Sequence, residues 1–213
     1  PKLFMLGNEA VALGALTSGA KFMSAYPITP SSEIMEYMVK YAPAEGGVML
    51  QTEDEISACT MAIGAAYAGA RAFTATAGPG LSLMAEAIGL AEMTETPLVV
   101  IDTQRGGPST GLPTKHEQSD LMAAIYNTHG DTAKIVISPS SIEESFYDTF
   151  EAFNLAEEYQ CPVIVLSDLQ LSLGKQSVTS LDYGKLQVRR GKLVKDGLPE
   201  IKSPEYFKRY DLE

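Results

Sequence analysis

Short apolar runs alternate along the chain with longer stretches in which apolar residues recur every three or four positions. The runs 21–25, 47–51, 71–76, 97–102, 134–137 and 162–167 predict strands. The stretches 9–19, 31–42, 54–69, 80–94, 119–127 and 141–159 predict helices. The strand runs, such as PLVVID and PVIVLS, are apolar almost throughout. That is the pattern of a sheet covered on both faces. Strand–helix alternation of this kind gives βαβ units. The expected architecture is therefore α/β, a mostly parallel sheet with helices on both faces.

The pattern fades after about Gly174, where the chain becomes polar and Lys-rich. Residues 1–174 read as one domain. Residues 175–213 read as a linker or arm with short extended pieces (KLQVRR, GKLVK) leading towards a further domain. A start at Pro1 without Met agrees with a segment of a longer polypeptide. A second odd stretch, QRGGPSTGLPTKHEQ at 104–118, is a long Gly/Pro/Thr-rich loop at a strand's C-terminal end, the edge where open α/β sheets bind ligands. No run approaches eighteen apolar residues and no signal-peptide pattern is present, so no membrane partner is expected. Formal charge is −11, from 27 acids and 16 bases, which argues against nucleic acid as a partner. The two cysteines, Cys59 and Cys161, have no Cys or His at metal-ligand spacing. They read as free buried thiols of a cytoplasmic protein, and no metal site is expected in this chain.

Four constellations carry candidate chemistry, and each has an ordinary structural explanation beside it. In Tyr26-Pro27-Ile28-Thr29-Pro30-Ser31-Ser32-Glu33, Thr29 has the place of an N-cap and Pro30 that of the first helical residue. The same geometry offers a hydroxyl and free N–H groups to an anion. In Gln51-Thr52-Glu53-Asp54-Glu55, Thr52 and Glu55 have capping-box spacing. Beyond Glu55, however, Ala58, Ala62, Ala65, Ala66 and Gly69 form a small-residue stripe, and Gly64 stands nine residues on. Thr74–Leu81 reads as a turn whose glycines Gly78 and Gly80 let backbone approach a ligand; no Gly-Lys-Ser/Thr follows, so it is not a P-loop. Arg105, before the pair Gly106-Gly107, is either a solvated loop residue or a fork for a carboxylate. His116 and His129 belong to no catalytic triad pattern.

Taken in order, these segments resemble the pyrimidine-binding domain of the 2-oxoacid:ferredoxin oxidoreductases, in their α subunit. The carrying motifs are GNEAVALGAL (7–16), AYPITPSSEIMEYM (25–38), QTEDEISA (51–58), TATAGPGLSLMAEAIGLAEMTETP (74–97) and DTQRGGPSTGLPTKHEQSDL (102–121). Together they span about Gly7 to Asp168. The long second and fifth motifs look closest to the 2-oxoglutarate type, with branched-chain 2-oxoacid enzymes next.

The resemblance implies a thiamine diphosphate (ThDP) fold of the pyrimidine-binding type. It implies that Glu55, nine residues before Gly64, is the carboxylate that activates the cofactor. Thr29 and Arg105 are implied to hold the substrate's carboxylate and keto oxygen. Tyr26, Pro27, Ile28, Thr76, Gly78 and Pro79 are implied to line the cofactor's pyrimidine end. A buried carboxyl can share a proton with the aminopyrimidine ring, which suits the assignment of Glu55. The implied reaction is oxidative decarboxylation of a 2-oxoacid with coenzyme A, with electrons passing to ferredoxin. The Gly-Asp-Gly and Asn-Asn signature of a Mg²⁺–diphosphate site is absent, as are cluster-binding cysteines. Mg²⁺ and a 4Fe-4S centre are therefore expected on a partner β subunit. The competing expectations are the pyrimidine domain of another ThDP enzyme, such as an acetohydroxyacid-synthase-like lyase, and a non-catalytic α/β module. Lys115 and His116 are candidates for a second substrate carboxylate.

Overall fold

A computed structural model describes residues 2–193. Among them, six strands form one parallel sheet in the order β3-β2-β4-β5-β7-β6. The strands are β2 (Phe22–Ala25), β3 (Val48–Gln51), β4 (Ala72–Thr76), β5 (Leu98–Gln104), β6 (Ile135–Ile137) and β7 (Pro162–Asp168). β4, β5 and all but the last residue of β7 are buried, whereas the edge strand β3 is largely exposed. The apolar-throughout strands of the sequence are thus the central ones.

Period-two alternation within those strands feeds two cores. Val99 and Ile101 of β5 point to one face, with Phe73, Ala75, Val163 and Val165. There they meet α1 (Gly7–Thr17), α2 (Ser32–Tyr41) and α7 (Ile142–Tyr159). Leu98 and Val100 point to the other face, with Ile164 and Leu166. There they meet α3 (Glu55–Tyr67), α4 (Gly78–Leu83), α5 (Ala85–Met93) and α6 (Leu121–Tyr126). Phe73 and Phe153 meet edge-to-face at 5.7 Å in the first core. Gly14 sets how closely α1 and α7 approach. A Cβ there would overlap the Phe146 carbonyl oxygen.

Several elements differ from their sequence-based expectation. β1 (Lys2–Leu6) pairs antiparallel with β8 (Lys175–Thr179) in a separate two-stranded sheet. The patterns of KLFML and KQSVT give little sign of it, because only Met5 and Val178 of this pair are buried. The helix expected over 80–94 starts earlier and is two helices, α4 and α5, separated at Met84. There the Met84 amide is shared between the carbonyls of Gly80 and Leu81 at 3.1 and 3.2 Å. A further short helix, α8 (Leu169–Leu173), is capped by Asp168, whose Oδ1 accepts from the Leu171 amide at 2.8 Å.

Of the extended pieces expected in the tail, KLQVRR forms no strand; GKLVK lies partly outside the described residues. The Gln187–Arg190 segment instead clasps the lower edge of the sheet. The Arg71 guanidinium donates to Arg189 O at 2.6 Å and to Glu157 Oε2 at 2.8 Å. Asn154 donates to Gln187 O at 3.0 Å, and Arg190 Nη2 to Gly69 O at 2.9 Å. Arg71 and Glu157 are both buried, so their pair is screened little by solvent.

Candidate active site

Because β2 to β5 run parallel, the segments that leave them emerge at one edge of the sheet. Tyr26 follows β2, Glu55 follows β3, Ala77 to Gly80 follow β4 and Arg105 follows β5. Each constellation marked in the sequence therefore sits at the carboxyl ends of neighbouring strands.

At the head of α3 the expected capping box does not form. Asp54 is the N-cap, and its Oδ1 accepts from the Ser57 amide at 2.7 Å, which holds its carboxyl below the usual range. Thr52 instead donates to Asp54 O at 2.9 Å. Glu55 is thus released from capping. It is 7 % exposed and its carboxylate accepts no hydrogen bond from the described residues. A Cβ built on Gly80 would overlap Thr76 Oγ1 and lie 3.0 Å from Glu55 Oε1. Gly80 therefore sits against both, which places Glu55 beside the fully buried Thr76. Gly64 is exposed, and nothing in the chain lies within 4 Å of the Cβ it lacks. The stripe residues Ala58, Ala62 and Ala66 pack inward; Ser24 Oγ donates to Ala58 O at 2.7 Å.

Thr29 is not an N-cap. α2 starts at Ser32, one turn beyond, because Ser31 turns back and donates through both N and Oγ to Ile28 O at 2.9 and 3.0 Å. Tyr26, Pro27 and Thr29 are left exposed and Ile28 half-buried. The turn is held from two sides. Asn8, fully buried in α1, donates to Pro30 O at 2.6 Å. Arg105 Nη1 donates to Thr29 O at 2.6 Å, so the two residues expected to grip substrate are in contact.

Arg105 is 7 % exposed, donates through Nη2 to Thr110 O at 2.6 Å, and has an Nε–H without an acceptor among the described residues. Its charge meets carbonyl oxygens and forms no ion pair with a described carboxylate. A buried guanidinium held in that way is suited to an incoming anion. A cleft of about 720 Å³ opens there, lined by Gly78, Pro79, Arg105, Gly106, Glu117 and Asp120 among others. The first turn of α4 joins the two halves of the site. Gly78 and Pro79 line the cleft, while Gly80 abuts Glu55 and Thr76. Lys115 and His116 are exposed on the cleft loop, where Lys115 O accepts from the Gly106 amide at 2.8 Å.

Asn8, Asp102 and Asp120 were not singled out from sequence for this site, and Gly80 was marked only as one of a glycine pair. Asn8 does carry a signal, as a lone amide in a helix of small apolar residues.

The donor set fits the aminopyrimidine end of ThDP. A buried carboxyl without a partner stands beside a glycine wall and a hydroxyl, where a ring nitrogen and an amino group can dock. Comparison with known proteins agrees. The profile of the pyruvate flavodoxin/ferredoxin oxidoreductase, thiamine diphosphate-binding family matches residues 13–206. The chain belongs to that family. Within it, the 2-oxoglutarate synthase subunit KorA of Methanothermobacter thermautotrophicus is 49% identical over 209 residues, covering 93% of this chain and 56% of the relative. The 2-oxoacid:ferredoxin oxidoreductase 1 subunit alpha of Aeropyrum pernix is 45% identical over 195 residues, covering 88% and 30% respectively. Among solved structures, a 2-oxoglutarate:ferredoxin oxidoreductase from Magnetococcus marinus, with 2-oxoglutarate, coenzyme A and succinyl-CoA bound, superposes with a TM-score of 0.89 at 46% identity. That match covers 95% of this chain and 36% of the other. The chain thus spans about half the length, or less, of the family members it matches.

Proposed function

We propose that this chain is the pyrimidine-side half of the active site in an enzyme that oxidatively decarboxylates 2-oxoglutarate with coenzyme A and reduces ferredoxin. The observation that carries the proposal is Glu55, a buried carboxyl relieved of helix capping by Asp54 and set beside Thr76 and Gly80. The names of the KorA relatives favour 2-oxoglutarate. When bound, the cofactor supplies a nucleophilic carbon for the 2-oxo group and a sink for the electrons left by CO₂.

Glu55 binds the ring nitrogen of the cofactor's pyrimidine and holds a proton there, which tunes the neighbouring amino group as a base. Tyr26, Pro27, Ile28, Thr76, Gly78 and Pro79 line the ring end of the cofactor. Arg105 takes the substrate carboxylate as a charge-assisted pair, and Thr29, fixed by the same guanidinium, directs its hydroxyl to the keto oxygen. Burial keeps water from competing at Arg105.

The diphosphate, Mg²⁺ and a 4Fe-4S centre belong, in this proposal, to a partner β subunit. Two cysteines are too few for a four-thiolate cluster in this chain. Exposed Ile56, Met61, Leu83 and Met93, on the helices that follow the site's strands, are the kind of apolar surface a partner covers.

Reconstitution with the β subunit and a panel of 2-oxoacids, followed by dye reduction, tests the assignment. The expected result is coenzyme A-dependent reduction with 2-oxoglutarate, which is lost without the β subunit. Turnover with branched-chain 2-oxoacids alone would move the substrate assignment. CO₂ release from the 2-oxoacid with neither coenzyme A nor dye reduction would favour a lyase.

A further inference from the structure

Asp102 occupies β5 between Thr76 of β4 and Leu166 of β7, and it is fully buried. Neither of its carboxyl oxygens accepts a hydrogen bond from an N–H or O–H of the described residues. An ionised carboxylate without a donor is very costly inside a protein, so this one carries its proton. Asp120 stands at the N-cap position of α6 but caps nothing. Its carboxyl faces that of Asp102, and its Oδ2, like both Asp102 oxygens, is buried without an N–H or O–H donor among the described residues. Its Oδ2 is sealed from solvent, and a Cβ on Gly78 would lie only 2.7 Å from it. The Asp120 amide donates to Gln104 Oε1 at 2.9 Å, while Gln104 Nε2 donates to Ser167 O at 3.1 Å. The far end of the 105–120 loop is thereby docked on β5 and β7, at the wall of the cleft.

We propose that Asp102 and Asp120 share one proton, and that this O–H···O bond is a latch holding the 105–120 loop, and Arg105 with it, against the sheet. The loop behaves as one hydrogen-bonded body. Gly106 N donates to Lys115 O at 2.8 Å, Leu112 N to Gly106 O at 2.8 Å, and Gly107 N to Glu117 Oε2 at 3.0 Å. Arg105 joins it through Thr110 O. Releasing Asp120 therefore loosens the scaffold that aims the guanidinium. Both residues are positioning residues; the latch acts through Arg105.

The surroundings decide where the proton sits. β4 and β7 present the uncharged Thr76 and Leu166 to Asp102, and α4 presents Gly78 to Asp120. Glu55 of α3 is one helical step further along, against Gly80. The charges that face Asp120 come from its own loop, Glu117 and Arg105, and they act in opposite directions. Burial, and then the neighbouring Asp120, raise the Asp102 pKa well above the carboxylate range. Burial also raises Asp120, while the bond from Asp102 opposes that rise. Asp102 is thus the donor and Asp120 the acceptor.

The sign of the pH dependence follows. Above about pH 4 the unfolded chain has lost a proton that the folded chain keeps. Stability from this pair therefore falls as pH rises, until the folded pair itself ionises. Asp102→Asn donates through an amide and needs no proton. In the full-length chain assembled with its partner, Asp102→Asn should gain Tm over the native complex by an amount that grows with pH. Its Gly106, Leu112 and Lys115 amides should keep, at alkaline pH, the hydrogen-exchange protection that the native protein shows at pH 6. Asp120→Ala leaves the core strand intact and should lower that protection at least tenfold.

Parallel Tm–pH profiles for native and Asp102→Asn complexes would overturn the shared proton. Unchanged loop exchange in Asp120→Ala would overturn the latch. Any effect on the KM for 2-oxoacid rests also on the assignment of Arg105. Loop protection that follows the latch while KM does not would support the latch and count against that assignment.

Discussion

Glu55 shows how a sequence can state a residue's neighbourhood and mislead about its bonds. Capping-box spacing pointed to Thr52 and Glu55, yet Asp54 takes the cap and leaves Glu55 without a hydrogen bond among the described residues. The box would need the Thr52 amide for Glu55, but that amide donates to Ala25 O at 3.0 Å, and the helix starts later with Asp54 accepting from the Ser57 N–H. Thr29 was misplaced for a similar reason, since Ser31 closes a turn on Ile28 O ahead of the helix. Gly80 was visible only as half of a glycine pair; its value lies in contacts with Thr76 and Glu55 that no spacing reveals. Gly80→Ala should therefore lower stability by about 1–3 kcal/mol despite the better helix propensity of Ala. Its 2-oxoacid-dependent reduction should also fall at least tenfold. Urea unfolding and dye reduction check the two effects, and a neutral variant would deny the close approach. Arg105→Ala should raise the KM for 2-oxoacid about 100-fold, as expected from the loss of a buried charge-assisted pair of about 2–3 kcal/mol. The KM for coenzyme A should change little; equal rises in both would argue against carboxylate binding.

At the scale of elements, the central strands were legible because burial on both faces makes them apolar throughout. β1 and β8 were not, because a two-stranded sheet with little buried surface imposes almost no pattern. The split between α4 and α5 was hidden for another reason. Apolar periodicity runs on through Met84, while one shared amide ends the first helix. The tail segment Gln187–Arg190 is held by polar contacts alone to Arg71, Asn154 and Glu157, and hydrophobic pattern cannot report those. That clasp gives its own prediction. Glu157→Ala leaves Arg71 buried without its carboxylate, which should cost about 3–5 kcal/mol in unfolding free energy. Proteolysis between 186 and 193 should accelerate in the same variant. Cleavage at the native rate would show that the clasp does not depend on this pair.

For the molecule as a whole, the parallel sheet does the decisive work. It delivers Tyr26, Glu55, Gly78 and Arg105 to one edge, although they are spread over some eighty residues of sequence. Among the described residues no helix is long and apolar enough to cross a membrane, and no group of His, Cys, Asp or Glu could hold a metal ion. The most direct measurement is the rate of 2-oxoglutarate-dependent reduction by the assembled complex carrying Glu55→Gln, at ThDP concentrations shown by titration to saturate it. The account predicts that ThDP still binds while the rate falls at least a thousandfold. Near-native turnover in that variant would contradict it.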